Sequence, residues 1–88
     1  MNVHYHKNFL KSYRKRVVHN NKLDQKFRQR LELFTQDPTN SILKDHALSG
    51  GKEGYRAFWV TGDVRVVYEI VEDGVLLHDI GTHNQVYK

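Results

Sequence analysis

The sequence predicts an α+β fold in which an N-terminal strand leads into a two-helix hairpin packed on a mostly antiparallel sheet. Three observations carry that expectation. Apolar residues recur at helical spacing from about Lys7 to Phe34. Beyond Pro38, three runs rich in aromatic and β-branched residues alternate with Gly/Asp turns. The 88 residues show no internal repeat, no low-complexity tract and no linker, so residues 1–88 read as one unit.

The opening Asn2-Val3-His4-Tyr5-His6 alternates side chains and is short enough for an edge strand, with Val3 and Tyr5 on one face. From about Lys7 the period changes, and Phe9, Leu10, Tyr13 and Val17 form a helical stripe. Asn20-Asn21 interrupts it, and asparagine is a good helix N-cap because its side-chain oxygen accepts an orphan backbone N–H. Leu23, Phe27, Leu31 and Phe34 mark the second helix, and Pro38 lies beyond its end. So short a break between helices predicts an antiparallel hairpin. The segment Leu43–Leu48 is too brief to assign. Tyr55–Thr61, Val64–Val71 and Val75–Thr82, joined at Gly62-Asp63 and Asp73-Gly74, predict a three-stranded meander. Strand parity puts Tyr55, Ala57 and Trp59 opposite Arg56, Phe58 and Val60, and Arg65 and Val67 opposite Val66 and Tyr68. It leaves open which side meets the helices.

Composition excludes several function classes. Without cysteine there is no disulfide framework, no thiol nucleophile and no Cys-based zinc site. No apolar run approaches the roughly 18 residues of a membrane span, and no signal peptide is expected, which fits a cytoplasmic chain. The net charge of +4 is unevenly placed: residues 1–36 hold nine Lys/Arg against two acids, and residues 37–88 hold five against eight. A cationic half suits a polyanion such as nucleic acid, although a solvated basic helix face has the same composition.

Six histidines invite a metal reading, but His4-X-His6 lacks flanking ligands at recognisable spacing, so no metal is expected. His46 and His83 differ, because each sits in a turn-like setting at a strand end, where a rigid sheet presents reactive groups. A polyanion plus neutral-pKa imidazoles points to RNA cleavage in which the 2′-OH attacks its own phosphate. One group takes that proton, and another protonates the leaving 5′-oxygen. A cation must stabilise the phosphate, and Arg56 and Arg65 are the sheet-borne candidates; Trp59 or Tyr87 would stack on a base. None of this calls for a cofactor.

The run Leu43-Lys44-Asp45-His46-Ala47-Leu48-Ser49-Gly50, then Gly54-Tyr55-Arg56, then Gly62-Asp63-Val64-Arg65-Val66-Val67-Tyr68, and finally Gly81-Thr82-His83, resembles the RelE superfamily of toxins, in particular its YafQ-like branch. The four blocks occur in order with the family spacing. The resemblance implies the RelE-like microbial RNase fold, entry into the ribosomal A site, mRNA cleavage to a 2′,3′-cyclic phosphate, and no metal. It also implies a cognate antitoxin partner, with operator DNA bound only through the antitoxin complex. Carried over residue by residue, it implies catalytic roles for His46 as base, His83 as acid, Arg65 as phosphate clamp, Asp63 as orienter and Tyr87 as the aromatic that follows. Trp59 departs from the pattern, since YafQ-like members usually have a histidine there. It is expected to contact RNA, as is Arg56. The basic helix residues Lys11, Arg14, Lys15, Arg16, Lys26, Arg28 and Arg30 are expected to grip ribosomal RNA phosphates.

Two other functions remain open at this point. ParE-type toxins on the same fold poison DNA gyrase without cutting RNA. An inactive, antitoxin-binding homologue would accommodate Trp59.

Overall fold

The computed structural model describes residues 1–87. Strand β1 (Asn2–Tyr5) precedes helices α1 (Lys7–Arg16) and α2 (Asn21–Gln36); a 3₁₀ turn at Ser41–Leu43 leads to β2 (His46–Ala47). Strands β3 (Tyr55–Thr61), β4 (Val64–Val71) and β5 (Gly74–Thr82) follow, and α3 (His83–Val86) ends the fold. The sheet order is β1-β5-β4-β3-β2, with β1 parallel to β5 and every other pair antiparallel. This is the expected α+β arrangement, with a fifth, two-residue strand in the segment left unassigned.

The helices begin where polar side chains can accept their first amides. His6 Nδ1 accepts the Asn8 N–H at 3.0 Å, and Asn20 Oδ1 accepts that of Leu23 at 3.1 Å. Arg14, Lys15 and Arg16 fill the last turn of α1, where cations complement the helix dipole. Both helices then bury aromatic residues against one sheet face. Phe34 stacks on Phe58 at 4.6 Å and meets Tyr68 edge-on at 4.8 Å, while Phe9 packs on Phe27 at 5.7 Å. The helix side of the sheet is therefore the one bearing Phe58, Val60, Val66 and Tyr68, together with Leu77 and Ile80 of β5.

Strand β1 stops at Tyr5, opposite Leu77, so the rest of β5 has no strand on its β1 side. Side chains of α1 take its place: Asn8 Nδ2 donates to the His78 carbonyl at 3.0 Å and Arg16 Nη1 to that of Ile80 at 3.0 Å. The guanidinium of Arg16, a residue expected to grip RNA phosphates, also pairs with Asp79 at 3.2 Å. Buried edge carbonyls would otherwise lack donors.

The opposite sheet face carries Ala57, Trp59, Arg65 and Val67. Gly81 lies opposite Arg65 in the β4–β5 register. A Cβ there would stand 2.6 Å from the Gln85 side-chain oxygen, so a larger residue would have to displace the Gln85 side chain. Gln85 Oε1 accepts the Thr82 N–H at 2.8 Å and fixes that reversal.

Candidate active site

Asp63, exposed in the β3–β4 turn, joins three of the expected catalytic residues. Its Oδ1 accepts from Arg65 Nη2 at 2.7 Å, and its Oδ2 accepts the backbone N–H of His83 at 3.2 Å. Arg65 Nη1 also points at His83 Nδ1, 3.4 Å away, and its guanidinium lies 5.6 Å from the centre of the Tyr87 ring. One helical turn separates His83 from Tyr87, so their rings meet edge-to-face at 4.6 Å. A guanidinium only donates, so the Arg65 contact requires an unprotonated His83 Nδ1. In neutral His83 the proton therefore sits on Nε2.

His46 comes from the other side of the sheet. Strand β2 pairs it with Ala57, and opposed residues in an antiparallel ladder share a face, so His46 stands on the same surface as Trp59 and Arg65. Its Nδ1 lies 2.9 Å from the Lys44 carbonyl oxygen. A carbonyl only accepts, so Nδ1 carries the proton and Nε2 of neutral His46 keeps its lone pair. The two histidines are thus held in opposite tautomers.

Lys44, His46, Ala57, Phe58, Trp59, Gly62 and Arg65 line a cleft of about 210 Å³. Trp59 forms its wall. The indole Nε1 donates to the Gly62 carbonyl at 2.9 Å, which is geometrically possible because Gly62 turns at φ 54°. The Lys44 ammonium lies 4.8 Å from the indole centre and the Arg30 guanidinium 5.1 Å. Arg30 is held there by its Nε, which donates to the Val60 carbonyl at 3.2 Å.

Arg56 does not reach this cleft. It pairs with Tyr68 in the β3–β4 register and points to the helix side, where its Nε binds Asp45 Oδ1 at 3.1 Å. That parity puts Arg56, expected to contact RNA, on the sheet face opposite His46, Trp59 and Arg65. Tyr68 donates its hydroxyl to the other Asp45 oxygen, 2.5 Å away. Burial pushes the Tyr68 phenol well above its ordinary pKa, reinforced by Asp45, while Tyr68 and Asp45 hold Arg56 above the usual arginine range. Arg56 and Tyr68 thus clamp Asp45, the residue just before His46, from behind the sheet.

Two further expectations shift. Arg28 is occupied by Asp24 at 3.1 Å, within a cluster that includes the Tyr13 hydroxyl. Lys11 and Arg14 are exposed on α1 and line no part of the cleft, whereas Lys15 borders a separate groove with Thr82, Asn84 and Gln85. Three of the remaining histidines have structural partners: His4 pairs with Asp73, and His78 pairs with Glu69 while stacking on His6.

A family model described as a bacterial toxin of type II toxin–antitoxin systems, YafQ, matches residues 1–88. The chain belongs to that family. It is a toxin component of a type II toxin–antitoxin system. Among solved structures, the YafQ chain of the Escherichia coli DinJ–YafQ toxin–antitoxin complex superposes with a TM-score of 0.80 at 24% identity, covering 99% of this chain and 97% of that one. A copper-bound mutant toxin from Helicobacter pylori gives 0.81 at 24% identity, with 98% of each chain covered. A YoeB/ParE toxin from Agrobacterium tumefaciens gives 0.76 at 17% identity, covering 94% of this chain and 99% of that one. These likenesses establish the fold. No curated protein sequence matches this YafQ-family toxin.

Lys44 is the residue that sequence reasoning missed. It lay within the recognised block, but its left-handed backbone (φ 49°, ψ 36°) has no signal in a non-glycine residue.

Proposed function

We propose that this toxin is a ribosome-dependent endoribonuclease that cuts mRNA without a metal. The single observation that carries the proposal is one arginine-bearing sheet face that presents His46, its Nδ1 against the Lys44 carbonyl, and His83, its backbone N–H against Asp63. His46 Nε2, unprotonated while Nδ1 is held by the Lys44 carbonyl, takes the 2′-OH proton. The 2′-oxygen attacks the adjacent phosphorus, and the P–O5′ bond breaks to leave a 2′,3′-cyclic phosphate. His83 supplies the proton to the departing 5′-oxygen from Nε2. That donation calls for the cationic imidazole, which would give up the long 3.4 Å contact with Arg65. Arg65, aligned by Asp63, then stabilises the phosphate charge. Tyr87 and Trp59 offer aromatic faces for bases.

On this proposal a cognate antitoxin holds the toxin inactive, as DinJ accompanies YafQ and YefM accompanies YoeB in solved complexes. Gyrase poisoning, the ParE-type alternative, has no use for a histidine pair set in complementary tautomers.

The test is primer extension on mRNA after induction, with and without ribosome engagement. Cuts confined to translated regions are expected, and His83→Ala should slow them by about 100-fold or more, the usual worth of a positioned acid. Undiminished cutting by His83→Ala would remove the acid assignment. An SOS response with intact mRNA would place the toxin with the gyrase poisons.

A further inference from the structure

Resting on the nuclease proposal, we infer that Lys44 is a substrate-contacting residue whose ammonium binds an RNA phosphate against the face of Trp59. Three cations border the cleft: Arg65, Arg30 and Lys44. Arg65 already shares its charge with Asp63 at 2.7 Å. Arg30 donates its Nε to the Val60 carbonyl and reaches the Trp59 ring without lining the cleft itself. Lys44 has no carboxylate partner among the described residues. The carboxylate next to it in sequence, Asp45, is turned to the other sheet face and engaged by Arg56 and Tyr68. Lys44 is therefore the one Lys or Arg lining the cleft that has no carboxylate partner among the described residues.

Backbone conformation makes that placement deliberate. Lys44 adopts left-handed φ and ψ, a conformation that favours glycine and is uncommon for a lysine. In this conformation one residue does two things: its carbonyl fixes His46 Nδ1, and its side chain reaches over Trp59. An ammonium resting on an indole is weakly held compared with one on a phosphate, so an arriving strand can draw it off the ring.

Trp59 is the only tryptophan, so its fluorescence reports on the cleft without requiring cleavage. The probe is a trinucleotide with 2′-deoxy sugars, which binds but cannot react. Lys44→Gly is the decisive variant, because glycine keeps the left-handed turn and the carbonyl that holds His46, and removes only the side chain. Lys44→Met and Lys44→Arg complete the set, and thermal unfolding checks that each variant is folded. Wild type should bind saturably. Lys44→Gly and Lys44→Met should each weaken binding and slow cleavage about tenfold or more, and Lys44→Arg should stay within about threefold of wild type. Equal binding by wild type and Lys44→Gly would overturn the assignment, as would a Lys44→Arg protein no better than Lys44→Met. Absence of saturable wild-type binding would overturn it too. Lys44-dependent binding with translated mRNA left whole would remove the nuclease proposal and keep this one; cutting that ignores Lys44→Gly would do the reverse.

Discussion

Asp45, Arg56 and Tyr68 never touch the candidate cleft, yet they decide where His46 stands. Each is on the helix side of the sheet, and Asp45 accepts from both of the others. Removing the Tyr68 hydroxyl leaves a largely buried carboxylate oxygen without its donor, so Tyr68→Phe should cost about 1–3 kcal/mol. It should also lower cleavage through misplacement of His46. The pH dependence has a definite sign. The folded-state phenol is raised above its ordinary value of 10.0, so its stabilising contribution is complete below about pH 10 and is lost as pH climbs toward the folded value. Denaturant unfolding of the wild type should show stability falling on that alkaline limb, and the Tyr68→Phe protein should show a shallower fall. An unchanged limb would mean that Tyr68 is not the group that titrates there. Arg56 also illustrates where reading from sequence stopped. Alternation divided the strand residues into two faces, but the choice between faces depends on which one the helices cover, and that is a long-range packing outcome.

Among the elements, those with local causes were legible. Asn20 capping α2, the Pro38 stop and the turns at Gly62-Asp63 and Asp73-Gly74 all act within a few residues, and each falls where expected. Strand β2 was not legible, because two residues carry no period and their pairing partner, Ala57, lies across a loop. Nor was α3, whose reversal depends on the side-chain room at Gly81. Gly74 shows how much rests on one close approach. It opens β5 directly opposite Asn2 of the parallel strand β1. A Cβ at that position would lie 1.9 Å from the Asn2 carbonyl oxygen, and that neighbour is backbone. Gly74→Ala should therefore displace β1 and cost about 2–3 kcal/mol or more, read as a lower denaturant midpoint. A change under about 0.5 kcal/mol would show that β1 contributes little to holding the sheet.

Over the whole molecule, charge divides into cations already used and cations left free. Arg16 and Arg28 have carboxylate partners, so the nine basic residues of the first 36 overstate what a polyanion meets. Lys15, exposed beside the groove near α3, is available. Binding to ribosomal RNA measured against KCl should give a log–log slope that Lys15→Gln reduces by about one. Arg16→Gln should instead lower the thermal midpoint by about 4–8 °C if the lost contacts are worth about 1 kcal/mol. A slope that responds equally to both variants would contradict the division.

The side-chain seal along β5 has a dynamic consequence. Asn8 and Arg16, at opposite ends of α1, bond carbonyls of the same strand, while Phe9 between them is buried in the core. Lifting α1 therefore breaks both edge bonds and uncovers the core in one event, so its amides have no cheap route to solvent. In native-state hydrogen exchange, α1 and the central residues of β5 should open together, with one free energy and one denaturant dependence. The short β2 ladder that carries His46 is not tied in this way and should exchange earlier.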